Sequence, residues 1–251
     1  MADDKYRKHV LFMEKCVDIG AKIVKKNELL RIIDKGDSDV VTNVDLEIET
    51  KLIKKVKATF PRLKIVSEES NRGKELPENC FVIDPIDGTK NFCHTSPLWG
   101  LQMAYLEKGI PVASVLYCPE LGIKVSSSNN SGTRVNSSTS IIDPKNLEHC
   151  MVVVDGPKAH RWRVASMLDN TLQGVRLLGS TCVGFSLVIS GKIDGYVYMC
   201  KHPWDLLPGL CACKNAGLFV YDRKQTMAIV ANSSRLLNYL KTVILEELKL
   251  K

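Results

Sequence analysis

The chain has 251 residues, 45% of them hydrophobic, and a formal net charge of +7 at pH 7. That length fills one large domain or two modest ones, and the apolar content excludes a disordered chain. No apolar run approaches the roughly 20 residues that span a bilayer, and the basic surplus is spread out rather than gathered into a nucleic-acid-binding arm.

The amino end, Met1-Ala2-Asp3-Asp4-Lys5, is charged and lacks an apolar signal core. The nine cysteines are odd in number and contain no CxxC pair, so they read as reduced thiols. The expectation is a cytoplasmic protein with no membrane and no nucleic acid as partner, suited to anionic small molecules.

Val10, Met13, Val17, Ala21 and Val24 recur at helical spacing and predict a helix over about 4–26. Residues 29–35 read as a strand and Gly36-Asp37-Ser38 as a turn. Asp45 stands in the first turn of a second helix, whose apolar face is Ile48, Leu52, Val56 and Phe60 and which Pro61 ends. A carboxylate there caps the helix whether or not it also does chemistry. Residues 63–66 form a short strand running into Ser67-Glu68-Glu69-Ser70, and 71–79 read as loop. Phe81-Val82-Ile83 is a short buried strand. It leads to Asp84-Pro85-Ile86-Asp87-Gly88, two carboxylates on a turn stiffened by Pro85 and bent at Gly88, with Thr89 at a helix start.

Strands follow over 99–104 and 111–117, with another at 123–126, and the Ser-, Asn- and Thr-rich residues 126–140 read as loop. A boundary near Asp143-Pro144 separates an N-terminal α+β part, 1–143, from a C-terminal α/β part, 144–251, in which strands and helices alternate. In the latter, Gly179-Ser180 opens one helix and His202-Pro203-Trp204-Asp205 leads into another.

Asp45, Glu68, Asp84, Asp87 and Asp205 share a setting: the end of an apolar segment or the start of a helix. Carboxylates with few imidazoles and no paired thiols suit Mg²⁺, Mn²⁺ or Ca²⁺ rather than zinc. Two such ions about 4 Å apart can clamp a phosphate ester and activate water.

Asp84-Pro85-Ile86-Asp87-Gly88-Thr89, with Glu68-Glu69 upstream and Trp204-Asp205 downstream, resembles the inositol monophosphatase superfamily of Mg²⁺-dependent, lithium-sensitive phosphatases. Asp39-Val40-Val41-Thr42-x-x-Asp45, Gly179-Ser180 and Gly191-x-x-Asp194-Gly195-Tyr196 are similar to further family elements, and the match runs in family order from about 5 to 240. The resemblance implies a layered αβαβα sandwich, usually dimeric. It implies that Glu68, Asp84 and the Ile86 carbonyl hold one metal and that Asp84, Asp87 and Asp205 hold a second, with Glu68 helping a looser third. Asp45 and Thr89 would then deprotonate the attacking water, and the N–H groups of Gly88 and Thr89 would seat the phosphate.

Inositol-cleaving members resemble one another in a glutamate seven residues before the Trp-Asp aspartate, where this chain has Tyr198. Thr181 and Cys182 replace the small alanines that often follow Gly-Ser in the family. With His202, these residues are expected to line the substrate wall. The substrate expected is an inositol monophosphate-like ester, with a 3′(2′),5′-bisphosphate nucleotide and fructose 1,6-bisphosphate as alternatives. A catalytically silent binding protein is the reading from another class. Cys93-His94 has nothing to activate its thiol, and Lys35 and Lys90 are lysines that could reach a phosphate.

Overall fold

The computed structural model describes residues 5–27, 29–36, 39–70, 75–139, 143–199, 202–223 and 226–249. The expected turn at Asp37-Ser38 and part of the 71–79 loop lie outside them. In the first half the elements are α1 (Arg7–Lys26), β1 (Ile32–Gly36), β2 (Asp39–Thr42), α2 (Asn43–Thr59), β3 (Lys64–Ser67), β4 (Cys80–Asp87), α3 (Thr89–Cys93), β5 (Gly100–Glu107), β6 (Ile110–Cys118), β7 (Ile123–Ser128), β8 (Gly132–Val135) and β9 (Ser138–Thr139). After a 3₁₀ turn come β10 (Met151–Asp155), α4 (Lys158–Asp169), β11 (Gly174–Arg176), α5 (Thr181–Ile189), β12 (Gly195–Met199), α6 (Pro203–Asn215), β13 (Phe219–Asp222), β14 (Met227–Ala231) and α7 (Ser234–Glu247).

The strands form a β1–β2 hairpin, a seven-stranded sheet in order β3-β4-β5-β6-β7-β8-β9 and a five-stranded sheet in order β11-β10-β12-β14-β13. In the larger sheet β3 and β4 are parallel and the rest antiparallel. Helices α1 and α2 cover one face of it; α5 and α6 lie between the two sheets; α4 and α7 cover the outer face of the smaller one. The result is a five-layer helix–sheet–helix–sheet–helix sandwich. Among the described residues no helix is long and apolar enough to cross a membrane.

With helices on both faces, β4 buries all eight of its residues. Phe81 and Ile83 pack with α1 and α2, whereas Cys80 and Val82 pack with Trp204 and Leu207 of α6. This alternation turns Asp84 toward α6. Asp84 is paired with Gln102 and Asp87 with Gly100, so three steps on β4 match two on β5. The bulge accommodates Pro85, which has no N–H for the ladder, and resets the alternation so that Ile86 faces α1 and α2. Asp84 and Asp87 therefore share a face. The turn expected at these residues is thus a bulged continuation of the strand.

Residues 126–140 also differ from expectation: β7 continues to Ser128 and pairs with β8, and β8 with β9. The polar side chains are satisfied within the sheet. Thr133 donates to Ala212 O at 2.8 Å and lies 2.9 Å from Ser127 Oγ, which also accepts from Asn215. Polar composition alone does not mark a loop when α6 offers such partners.

Candidate active site

Asp84, Asp87 and Asp205 each place a carboxylate oxygen within 4.8 Å of the others. Asp84 and Asp87 come from the bulged end of β4, and Asp205 from the first turn of α6. Pro203 starts that helix with a fixed φ, and a carboxylate is favoured so near its N-terminus. Glu68 joins them from the end of β3; its N–H donates to Ile83 O at 3.2 Å, which ties the residue to β4 beside Asp84. All four line one cavity of about 620 Å³.

Asp87 is held most firmly. It accepts from Ser180 Oγ, from Thr181 Oγ1 at 2.9 Å and from the Cys182 N–H at 2.8 Å, so it sits at the N-terminus of α5. Gln102 donates to Asp84 Oδ2 at 3.3 Å and to Thr181 Oγ1 at 2.9 Å, linking the two carboxylates through one amide. Asp84 Oδ1 is buried with no hydrogen-bond partner among the described residues. Tyr198 OH donates to Asp205 Oδ2 at 2.7 Å.

Burial raises Asp84 well above the ordinary carboxylate range, and the charges of Glu68, Asp87 and Asp205 add to the effect. Burial also raises Asp87, against its hydroxyl and N–H donors. Buried carboxylates crowded this closely resist ionising together unless a cation is present. Among the described residues the donors are all oxygens, one is without a partner, and no imidazole or thiolate joins them. The set fits a hard divalent cation such as Mg²⁺.

Asp45, buried on α2, lies outside the cavity lining and meets the site through Thr89. It closes a capping box with Thr42: the Thr42 N–H donates to Asp45 Oδ2 at 3.0 Å, Thr42 Oγ1 donates to the same oxygen, and the Asp45 N–H donates to Thr42 Oγ1 at 3.3 Å. Burial raises Asp45 to about 6, against those Thr42 bonds. Thr89 Oγ1 lies 2.9 Å from Ile86 O and 3.3 Å from Asp45 Oδ1, so its single proton favours the carbonyl. Gly88 makes the turn with φ of +83°; a Cβ there would meet Leu98 O and Ser180 Cβ at 3.0 Å.

Ile86, Gly88, Thr89, Thr181 and Tyr198 also line the cavity. Cys182 does not: its thiol is buried 3.7 Å from Cys118 Sγ, and only its N–H serves the site. His202 lies outside the lining as well, exposed and stacked on Trp204 with ring centroids 5.0 Å apart. The sequence reading missed four residues. Gln102 is described above. Glu49, buried on α2, accepts from Ser67 Oγ at 2.5 Å, from the Glu69 N–H at 3.0 Å and from Ser70 Oγ, and so shapes the Glu68 loop. Its signal was available: it follows Asp45 by one helical turn on the apolar face. Asp155, at the end of β10, accepts from the N–H groups of Leu178 and Gly179 at 2.9 and 2.8 Å; burial raises it to about 6. Arg161 also lines the cavity.

A five-layer sandwich with a carboxylate cluster that could hold a metal at the end of a buried strand defines the class of protein. The chain belongs to the inositol monophosphatase family, whose model matches residues 10–249. It is 29% identical over 190 residues to a fructose-1,6-bisphosphatase/inositol-1-monophosphatase of Thermotoga maritima, covering 74% of this chain and 73% of that protein. It is 27% identical over 230 residues to the Nus factor SuhB of Vibrio cholerae, covering 86% of each. Its fold matches a solved inositol monophosphatase (IMPase) structure of Thermotoga maritima with a TM-score of 0.87 at 24% identity, over 96% of this chain and 98% of that one.

Proposed function

We propose that the protein is a Mg²⁺-dependent phosphomonoesterase that hydrolyses a small phosphorylated polyol, sugar or nucleotide by direct attack of water. The observation that carries this reading is the convergence of Glu68, Asp84, Asp87 and Asp205 on one cavity, with Asp84 Oδ1 buried and unpaired among the described residues. Glu68, Asp84 and the Ile86 carbonyl would hold one Mg²⁺, and Asp84, Asp87 and Asp205 a second; Glu68 could serve a third, and Mn²⁺ suits the same oxygens. When bound, the cations polarise the phosphoryl oxygens, ease deprotonation of water and neutralise the leaving oxygen.

The chain's own groups do the rest. The Thr89 hydroxyl would donate to Asp45 Oδ1, 3.3 Å away, whenever Ile86 O is not its acceptor. The pair then takes the proton of the attacking water, a role suited to a carboxylate raised to about 6. The Gly88 and Thr89 N–H groups orient the phosphate. Tyr198 stands where inositol-cleaving relatives carry a glutamate, and it directs its hydroxyl at Asp205, so no carboxylate grips two ring hydroxyls from that position. In the cytoplasm the enzyme would work as a homodimer, supported by the exposed apolar side chains Leu29, Ile32 and Ile33.

The test is phosphate release from inositol 1-phosphate, fructose 1,6-bisphosphate and adenosine 3′,5′-bisphosphate, with Mg²⁺ and with EDTA. Turnover that needs Mg²⁺ is expected for at least one ester. A binding protein without catalysis is the second reading, favoured by the relative named Nus factor and by the net charge of +7. Failure to hydrolyse any ester at saturating Mg²⁺ would decide for it.

A further inference from the structure

The same cavity is also lined by Gly156 and Pro157 and by Arg161 and Trp162 of α4. Trp162 is 60% exposed, although an indole gains more than most side chains from burial. The guanidinium carbon of Arg161 lies 5.9 Å from the Trp162 ring centroid. Among the described residues Arg161 Nε is buried without a hydrogen-bond partner, and its Nη1 donates to Gly156 O at 3.5 Å. Asp155 is close enough for its charge to feel Arg161, yet the hydrogen bonds it accepts come from Leu178, Gly179 and Tyr196. An aromatic face and a guanidinium with bonding capacity to spare therefore stand together in the lining of this cavity. That pairing recognises a planar unsaturated ring with an anion beside it. Leu177 and Met199 add apolar atoms on adjacent walls. A volume of about 620 Å³ is that of a site for a drug-sized ligand.

We propose that Trp162 and Arg161 form the leaving-group subsite of this cavity and select a phosphate ester whose leaving group is a nucleoside carrying a second phosphate. The inference rests on the phosphatase reading above and names its substrate class. Trp162 stacks on the base and Arg161 binds the phosphate that is not cleaved. Water adds to phosphorus and the P–O bond to the sugar breaks. The water's proton, taken up at Asp45 and Thr89, is returned to the leaving oxygen, giving a nucleoside monophosphate and inorganic phosphate.

Two measurements on the full chain test this. The first titrates adenosine 3′,5′-bisphosphate with Ca²⁺ in place of Mg²⁺ and follows tryptophan fluorescence. Trp99 and Trp204 are buried, so quenching reports Trp162. Saturable quenching is expected in the parent, lost in Trp162→Ala and displaced to higher ligand concentration in Arg161→Gln, with unchanged circular dichroism. The second compares kcat/KM for adenosine 3′,5′-bisphosphate with that for glycerol 2-phosphate under Mg²⁺. The ratio is expected to fall about tenfold in Trp162→Ala, the loss of one stacked base. An unquenched parent, or a ratio that does not move in either variant, overturns the subsite. Quenching in a parent that hydrolyses no ester leaves the subsite standing and removes the phosphatase reading instead.

Discussion

Asp155 Oδ1 accepts both the Leu178 and Gly179 N–H groups, and an asparagine oxygen can accept the same two. Asp155→Asn is therefore close to isosteric while removing a charge that burial disfavours. The folded-state value, about 6, lies above the unbound carboxylate value, so the native state holds the proton more tightly than the unfolded chain does. Stability from this residue is thus greatest at acid pH and falls as pH rises from about 4 to about 6. In metal-free protein the variant should gain on the parent across that window, by up to about 3 kcal/mol. Urea midpoints at pH 4.5 and 7 measure it; a pH-independent difference would contradict the assignment. Tyr198→Phe removes the donor to Asp205 without changing the ring. It should raise the Mg²⁺ concentration needed for half-maximal phosphate release about 10- to 100-fold. Of these residues Asp205 was legible from sequence, because a carboxylate beside Trp204 opens a helix. Gln102 was not: in sequence it is one polar residue inside an apolar strand, and only its register opposite Asp84 gives it a role.

At the scale of elements, the site depends on how closely α5 approaches α6 and β12. A Cβ on Gly209 would lie 2.0 Å from the Phe185 ring, and one on Gly184 would lie 2.5 Å from the ring of Tyr196. Gly209→Ala should force α5 and α6 apart and destabilise by about 1–3 kcal/mol, seen as a lower Tm, with weaker activity because Ser180, Thr181 and Cys182 hold Asp87. An unchanged Tm would mean that the helices are packed more loosely than their contacts imply. Helical spacing placed α1 and α2 in the sequence, and apolar runs placed most strands of the first half. The bulge in β4 left no such trace, because a strand that passes through Pro85 and a turn at Pro85 look alike until the β5 register is known. The β7–β8–β9 meander was hidden for a related reason: its buried serines and threonines find partners only across the sheet and on α6.

Across the whole molecule, the carboxylates converge from three layers. Asp45 rides on the outer helices, Glu68, Asp84 and Asp87 on the larger sheet, and Asp205 on the middle helices. No single stretch of sequence contains the site, although the order of its motifs announced the family. The substrate wall was less legible, because Arg161 and Trp162 belong to a helix that carries no motif, and only the β10 connection brings it to the cavity. The account stands on one claim, that this convergence is a metal-assisted hydrolytic centre. Its most direct test is phosphate release by Asp87→Asn at saturating Mg²⁺. The amide oxygen can keep the Ser180 and Cys182 donors while the charge is removed, so turnover should fall about a hundredfold or more while the circular dichroism spectrum is unchanged. Turnover equal to that of the parent protein would contradict the account.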